Sequence, residues 1–117
     1  MRNTIFGFNQ FELIKYSLNM NEVLLLDYVY HAVASPTMEH KIENDISYVW
    51  ISHNKIIEDL PILNIGIDRL KRLLSHLCEV NLLQSITVRI KGKGSKSYYT
   101  ITENCEKLKY SGMIKIQ

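Results

Sequence analysis

The chain contains 117 residues, which is enough for one ordinary domain and too few for two. Hydrophobic residues make up 46% of it and charged residues 22%, with a net charge of +2, and this composition excludes a disordered or a collagen-like protein. The apolar runs are far shorter than the roughly 18 residues of a membrane span, and the N-terminus lacks the apolar segment of a secretion signal, so we expect a soluble cytoplasmic protein without membrane contact.

Two helices are predicted in the first third of the chain. Residues 9–18 carry apolar side chains at helical spacing and predict a short amphipathic helix. From Met20 onward, apolar side chains occupy nearly every side of a helical wheel, which predicts a central, buried helix. This helix should end by Ser35, because Pro36 disfavours helical geometry in the residue before it. The polar residues 36–45 then predict a surface loop.

A strand and a third helix are predicted next. Residues 46–51 are rich in β-branched and aromatic side chains, which is typical of a short strand. Ser52 is a suitable N-cap for a helix that runs from His53 to about Leu60, because its hydroxyl can accept a bond from a free backbone N–H. Pro61 would end that helix.

A fourth helix with two distinct faces is predicted after a turn at residues 61–66. Gly66 is the expected N-cap, the helix should end near Val80, and Asn81 suits the left-handed conformation that follows many helices. The predicted apolar face contains Ile67, Leu70, Leu73, Leu74, Leu77 and Cys78. The predicted polar face contains Asp68, Arg69, Lys71, Arg72, Ser75, His76 and Glu79.

A β-hairpin with a basic loop is predicted from the next segment. Residues 82–90 alternate with the period of a strand, and residues 97–102 form a second strand of the same kind. Between them, residues 91–96 (KGKGSK) contain two glycines that allow a tight, flexible connection. Tyr98 and Tyr99 are neighbours in a strand and must face opposite sides, so at most one of them could stack on a nucleic-acid base.

The charged residues are unevenly distributed along the chain. Residues 1–66 contain four basic and eight acidic side chains, whereas residues 67–96 contain seven basic and two acidic ones. A basic block within a nearly neutral domain indicates a surface that binds a polyanion. The alternatives are a solvated helix face and a hairpin that carries lysines for solubility. The first alternative does not explain why a second basic cluster follows in the hairpin.

The order of helix, turn, helix and hairpin is that of a winged helix, a variant of the helix-turn-helix DNA-binding motif. The predicted fold class is therefore α+β and mostly helical, with a small three-stranded antiparallel sheet. One domain would span residues 1–117, with N-terminal helices in residues 1–35, the helix-turn-helix and wing in residues 46–102, and a C-terminal extension in residues 103–117. That extension would begin with one or two helical turns.

Duplex DNA is the predicted partner, because a helix fits the major groove and a hairpin loop can reach the adjacent backbone. The first turns of the fourth helix, with Arg69, Lys71, Arg72 and Ser75, should include residues that contact base edges, whereas the loop lysines should follow phosphates. The candidate DNA-binding residues are Arg69, Lys71, Arg72, Ser75, His76, Arg89, Lys91, Lys93 and Lys96.

No motif in the sequence indicates catalysis, a cofactor or a metal. Cys78 and Cys105 have no neighbours at metal-ligand spacing and are predicted to be reduced, structural thiols. The four histidines lie far apart, and the glycine patterns of nucleotide-binding loops are missing. We therefore expect a protein that is not an enzyme, with no catalytic residues, no cofactor and no metal site.

Several segments resemble one family. Residues 48–63 (YVWISHNKIIEDLPIL), the following RLKRL at residues 69–73 and the pair Tyr98-Tyr99 resemble the N-terminal winged-helix domain of phage replisome organizers and related DnaD-type replication initiators. The upstream segments FGFN and NEVLLL also look like that family, so the resemblance covers roughly residues 5–103. Such initiators usually carry a further C-terminal domain, so the chain would be either an excised domain or a short stand-alone relative.

The resemblance implies binding to replication origins, self-assembly and recruitment of a helicase loader. A winged-helix transcriptional regulator is the nearest alternative, because it would use the same interface with DNA. A third hypothesis is a winged helix that serves as a protein-interaction module and whose basic surface is incidental. The apolar N-terminal helices are the predicted contact of a homodimer, at least on DNA.

Overall fold

Helices and strands are mixed in the computed structural model, which describes residues 2–109 and confirms the α+β class. The helices of this range are α1 (Gln10–Lys15), α2 (Met20–Ala34), α3 (His53–Asp59), α4 (Ile67–Glu79) and α5 (Glu103–Lys107). The strands are β1 (Thr4–Ile5), β2 (Phe8–Asn9), β3 (His40–Glu43), β4 (Ile46–Trp50), β5 (Leu83–Arg89) and β6 (Ser95–Ile101). The rest of the predicted C-terminal extension, residues 110–117, lies outside the described range.

The strands pair antiparallel in a four-stranded sheet and a separate two-stranded ribbon. The sheet has the order β3-β4-β6-β5, and β1 pairs with β2 in the ribbon. The prediction of a three-stranded sheet was wrong, because residues 36–45, predicted to be a loop, contain β3. Three of its four side chains are polar, and Ile42 is exposed, because β3 is an edge strand whose residues mostly face solvent. Asn44 and Asp45 connect it to β4 with φ angles of 51° and 64°, the left-handed conformation of a two-residue hairpin turn.

The first helix is shorter than predicted. The expected helix over residues 9–18 is limited to α1, because the strand β2 takes up Asn9 and because Ser17 adopts a left-handed φ of 57° that breaks the helix. The ribbon before α1 was not predicted, since each of its strands has two residues and cannot show a periodic pattern.

The two ends of the described chain are joined. The backbone N–H of Asn9 donates to the carbonyl of Leu108 at 2.6 Å, and Phe8 forms an isolated β-bridge with Lys109. The ammonium of Lys109 lies 4.3 Å from the ring centroid of Phe8 and 4.1 Å from that of Tyr30 on α2. Backbone and cation–π contacts thus fix the end of α5 against β2 and α2.

Helix α2 is the central helix, as its apolar pattern predicted. Leu25, Leu26 and Val29 are completely buried. Asn19 and Glu22 form a capping box, in which each side chain accepts a hydrogen bond from the other residue's backbone N–H. With 15 residues α2 is the longest helix of residues 2–109, and none of the helices in that range could cross a membrane.

Helices α3 and α4 follow one another along the chain as predicted and are joined by a short turn. The hydroxyl of Ser52 accepts a hydrogen bond from the backbone of α3, which confirms the predicted N-cap. A single 3-10 turn at Pro61–Leu63 and the left-handed Asn64 then reverse the chain, and Gly66 is the N-cap of α4. The predicted apolar face of α4 packs against α2, α3 and β5, with Leu70, Leu73, Leu74 and Leu77 buried.

The hairpin β5–β6 follows α4 after Asn81, which has the predicted positive φ, here 63°. Seven residue pairs join the two strands, from Leu83 opposite Ile101 to Arg89 opposite Ser95. The strand β6 begins two residues earlier than predicted, so the connection is shorter than residues 91–96, and Lys96 belongs to the strand.

Candidate nucleic-acid interface

A polar cleft of about 580 Å³ lies between α4, the N-terminal end of α3 and the hairpin β5–β6. Six serine and threonine side chains line it, namely Ser52, Ser75, Ser85, Thr87, Ser95 and Ser97. The strand register explains four of them: Ser85 and Thr87 are two positions apart on β5, Ser97 is opposite Thr87 on β6, and Ser95 is two positions before Ser97. One face of the hairpin is therefore a hydroxyl-rich wall that faces α4.

The opposite wall of the cleft is one row of α4. Ile67, Lys71 and Ser75 are spaced by four residues, so they lie above one another on the same side of the helix. Arg72 lies two positions from both Leu70 and Leu74, which are buried, and therefore points away from the core into solvent. The polar face of α4 is thus divided into a row inside the cleft and a row outside it.

His53 and Tyr99 lie at the cleft and are hydrogen-bonded to each other, with 2.8 Å between His53 Nε2 and the Tyr99 hydroxyl. Burial raises the pKa of Tyr99 to about 12. Burial, and then the charge of Lys71, lower the pKa of His53 below its ordinary value of 6.5. Both groups are therefore uncharged at neutral pH, and Lys71 is the one charged side chain among the residues that line the cleft.

The connection between β5 and β6 is a tight turn at residues 90–94. The N–H of Ile90 donates to the carbonyl of Gly94 at 2.8 Å, and Gly92 and Gly94 both have a φ of 77°, which favours glycine. Lys91 and Lys93 are exposed in this turn. The exposed Arg89 precedes it on the same face of β5 as Thr87, so it extends the cleft wall toward the turn.

Six of the predicted DNA-binding cations are exposed and form no ion pair with any residue between positions 2 and 109. They are Arg69, Lys71 and Arg72 on α4 and Arg89, Lys91 and Lys93 on the hairpin. Because α4 and the hairpin are the two walls of one cleft, the structure brings these two basic segments, separate in sequence, next to each other. Arg69 lies two turns before His76 and so on the flank of α4 away from the cleft.

Lys96 does not belong to this surface. It pairs with Val88 across the hairpin and so faces away from the hydroxyl wall. Its ammonium lies 3.3 Å from a carboxylate oxygen of Glu39 and 4.2 Å from the centroid of the Trp50 ring. The prediction that Lys96 lies in the loop was wrong, because it belongs to β6. Strand alternation places it on the face of the sheet away from the hydroxyl wall, where it pairs with Glu39.

His76 also has a partner that the sequence did not indicate. Its Nδ1 is hydrogen-bonded to a carboxylate oxygen of Glu22, which is 4% exposed and also caps α2. This contact ties α4 to the start of α2, on the flank of α4 away from the cleft. His76 was predicted to contact DNA, but the structure gives its Nδ1 a role in packing two helices together.

Neither tyrosine of the pair in β6 is free to stack on a base. Tyr98 is 6% exposed and donates a hydrogen bond from its hydroxyl to Glu39 at 2.6 Å. Tyr99 is also 6% exposed and is bonded to His53. The sequence predicted that at most one of the two tyrosines could stack on a base. In the structure both rings are buried.

The cysteines form neither a disulfide nor a metal site in the described part of the chain. Cys78 and Cys105 are free thiols, and burial raises the pKa of both, that of Cys105 to about 12. Within residues 2–109, no group of three or more His, Cys, Asp or Glu side chains is placed to hold a metal ion.

Sequence reasoning missed His53 and the hydroxyl wall. His53 was considered only as a metal ligand, and the pairing that brings it to Tyr99 spans 46 positions. The signal for the wall was present, since Ser85, Thr87 and Arg89 are polar residues at every second position, as are Ser95 and Ser97. The sequence does not show which face of the hairpin meets α4.

Comparisons of the chain with protein-family models, with curated proteins and with solved structures found no match. The resemblance to replication initiators therefore stays a prediction from the sequence. A functional assignment depends on the cleft and on the cations beside it.

Proposed function

We propose that this domain is a winged helix that binds duplex DNA, with α4 in the major groove and the turn between β5 and β6 along the neighbouring backbone. The observation that supports this proposal is a set of six exposed cations on α4 and on the hairpin, the two elements that form the walls of one cleft. None of the six forms an ion pair with a residue between positions 2 and 109. Phosphate neutralisation by such cations supplies most of the affinity of a protein for DNA. An α-helix has the width that the major groove accepts.

The outward row of α4 suits contact with base edges. Arg72 can donate two hydrogen bonds to a guanine, and Asp68, one turn earlier, can accept one from a cytosine. A carboxylate at this position would be repelled by phosphates. The combination therefore favours a row that reads bases, while Lys91 and Lys93 on a turn with two glycines follow the backbone without reading sequence.

In the cell, we propose that the domain is the origin-binding module of a phage-type replication initiator and that it works with replication proteins such as a helicase loader. The resemblance of residues 48–63 and 69–73 to that family supports this assignment. A transcriptional regulator would use the same interface. DNA fragments selected from a random pool would separate the two, because origin-type repeats support the first role and promoter-like single sites support the second.

A salt titration of binding to a random duplex tests the proposal. Each phosphate contact contributes about 0.9 to the slope of log affinity against log salt, so six cations allow a slope of up to about 5. Lys107→Ala is a matched control, because Lys107 is a surface cation on α5, at the end of β6 opposite the turn. The control should keep the full slope, whereas Lys93→Ala should lower it by about 1.

The competing hypothesis is a protein-interaction module that does not bind DNA. If the folded domain retained no duplex at low salt, the basic surface would be incidental and the proposal would be wrong.

A further inference from the structure

We infer that the cleft binds one phosphodiester group of the DNA backbone, held by the ammonium of Lys71 and by the hydroxyls of Ser75 and of the hairpin wall. This inference rests on the proposed DNA binding. It assigns a ligand to the cleft, which insertion of α4 into the major groove leaves without one. It moves Lys71 and Ser75 from the predicted base-reading set to the positioning of the backbone.

The charge of the cleft matches a phosphodiester. Lys71 is the one charged side chain among the lining residues, and His53 is uncharged at neutral pH. A phosphodiester carries one negative charge, whereas a phosphomonoester carries between about 1.5 and 2 at pH 7. The single ammonium of Lys71 neutralises the charge of a phosphodiester but not the larger charge of a phosphomonoester.

The hydroxyls of the cleft are suited to phosphate oxygens and poorly suited to reading bases. Serine and threonine side chains are common phosphate contacts in protein–DNA interfaces. A hydroxyl can both donate and accept, so it distinguishes one base edge from another weakly. Ser85, Thr87 and Ser97 are also held by paired strands, so their positions are fixed relative to α4.

The position of the cleft fits the course of a DNA strand beside α4. The row with Arg72 points into solvent, and the row with Lys71 and Ser75 faces the hairpin. If the outward row enters the major groove, the strand that borders the groove on the hairpin side passes across the mouth of the cleft. A phosphate held there fixes the position of Arg72 over the bases without itself reading sequence.

Neutral replacement of single phosphates tests the inference directly. The intact chain would be titrated with a selected duplex in which one phosphodiester at a time is a methylphosphonate. At one position, the native protein should lose about tenfold in affinity, the loss expected for one charge-assisted hydrogen bond. Lys71→Ala should lose about tenfold on the unmodified duplex and nothing further at that position. Arg72→Ala should still lose about tenfold in affinity when the phosphate at that position is made neutral, because the two losses are independent.

A second variant tests the hydroxyl wall without changing charge or strand propensity. Thr87→Val keeps the shape of an exposed strand residue and removes its hydroxyl. It should weaken binding about fivefold on a selected and on a scrambled duplex alike, as expected for one neutral hydrogen bond. Thr37→Val is the matched control outside the cleft and should leave both affinities unchanged. Circular dichroism confirms that each variant is folded.

The outcomes separate this inference from the proposed function. If the native protein binds no duplex, DNA binding itself is refuted. Two results would refute the phosphodiester site in the cleft and leave DNA binding intact. One is that Lys71→Ala shows additive losses at every methylphosphonate position, and the other is that Thr87→Val binds duplex DNA like the native protein. Inorganic phosphate is the other source of the same chemistry. If it shifts the His53 resonance at constant ionic strength while Lys71→Ala shows additive losses, the cleft binds a free phosphate and the inference is wrong.

Discussion

His76 on α4 is hydrogen-bonded through Nδ1 to the buried carboxylate of Glu22 on α2. The same carboxylate accepts a hydrogen bond from the backbone N–H of Asn19 and so closes the capping box of α2. One acidic side chain therefore stabilises the start of the central helix and contacts the helix that carries Arg69, Lys71 and Arg72. The contact joins α4 to the N-terminal end of α2.

Removal of His76 should lower stability and leave DNA binding of the folded protein unchanged. In His76→Ala the buried Glu22 loses a partner, and an unsatisfied buried polar group costs about 1 to 3 kcal/mol. Urea denaturation measures the loss. Glu12→Ala, which breaks an exposed pair with Lys15, is the matched control and should cost less than about 1 kcal/mol. A His76→Ala protein of native stability that binds DNA poorly would restore the original DNA-contact hypothesis.

Arg72 and Lys93 should affect DNA binding in different ways. Arg72→Ala should reduce the preference for a selected site over a scrambled one by about 1 to 3 kcal/mol, because a bidentate contact with guanine is lost. Lys93→Ala should weaken both duplexes equally, since its turn follows phosphates. Fluorescence anisotropy with both duplexes gives the two ratios. The division of roles is wrong if only the turn variant changes the ratio.

Lys96 should behave unlike the other hairpin lysines. Because it pairs with Glu39 and covers Trp50, Lys96→Ala should cost about 0.5 to 1 kcal/mol of stability through the lost cation–π and ion-pair contacts. The slope of log affinity against log salt should stay as in the native protein. Lys93→Ala is the internal comparison, with native stability and a reduced slope. A reduced slope in Lys96→Ala would place the back of the sheet on DNA.

The stability of the domain should fall in mildly acidic solution because of His53. Its pKa in the folded protein lies below the ordinary 6.5, first through burial and second through Lys71. As the pH falls through the unfolded value, the unfolded chain takes up a proton before the folded one does, so the free energy of unfolding decreases between about pH 7 and the lower folded pKa. Unfolding curves across this range should show a smaller decrease in His53→Gln.

Lys71→Ala provides the second arm of this experiment. Without the neighbouring cation, the pKa of His53 rises toward its ordinary value. The pH range over which the free energy of unfolding decreases then becomes narrower. An unchanged pH dependence in both variants would show that another group controls acid stability.

The exposed apolar surface around α1 should mediate self-association on DNA. Phe11 and Ile14, one turn apart on α1, and Met20, the first residue of α2, are 49%, 56% and 56% exposed. Exposed apolar side chains that form a patch mark a protein–protein contact. Light scattering of the complex with a two-site duplex should give two protein copies bound cooperatively. Phe11→Ser combined with Ile14→Ser should abolish the cooperativity and keep single-site affinity. A monomer on every duplex would refute this contact.

The helices were predictable from sequence because their ends carry local signals. Asn19, Ser52 and Gly66 are N-caps that act within three or four residues of themselves, and the leucines of α4 repeat with the helical period. The strand β3 was missed because an edge strand has no apolar face to show, although Asn44-Asp45 is a readable two-residue turn.

The site was predictable only where one element determines it. The outward direction of Arg72 follows from the spacing of α4 alone, and the exposure of Lys93 follows from its glycines. The partners of Lys96 and His76 lie 57 and 54 positions away. Such pairs depend on how the sheet and the helices are brought together, which a single sequence does not encode locally.

The junction between β2 and the end of α5 has a practical consequence for experiments on DNA. Because Asn9 and Leu108 share a backbone hydrogen bond, fluorophores attached beside these two residues lie at nearly the same place on the molecule. The strand β6 leads from the turn toward α5, which precedes Leu108, and its seven residues span about 20 Å. Labels beside Asn9 or Leu108 are therefore held away from the turn lysines, and a dye on Lys91 or Lys93 can report distance against either of them.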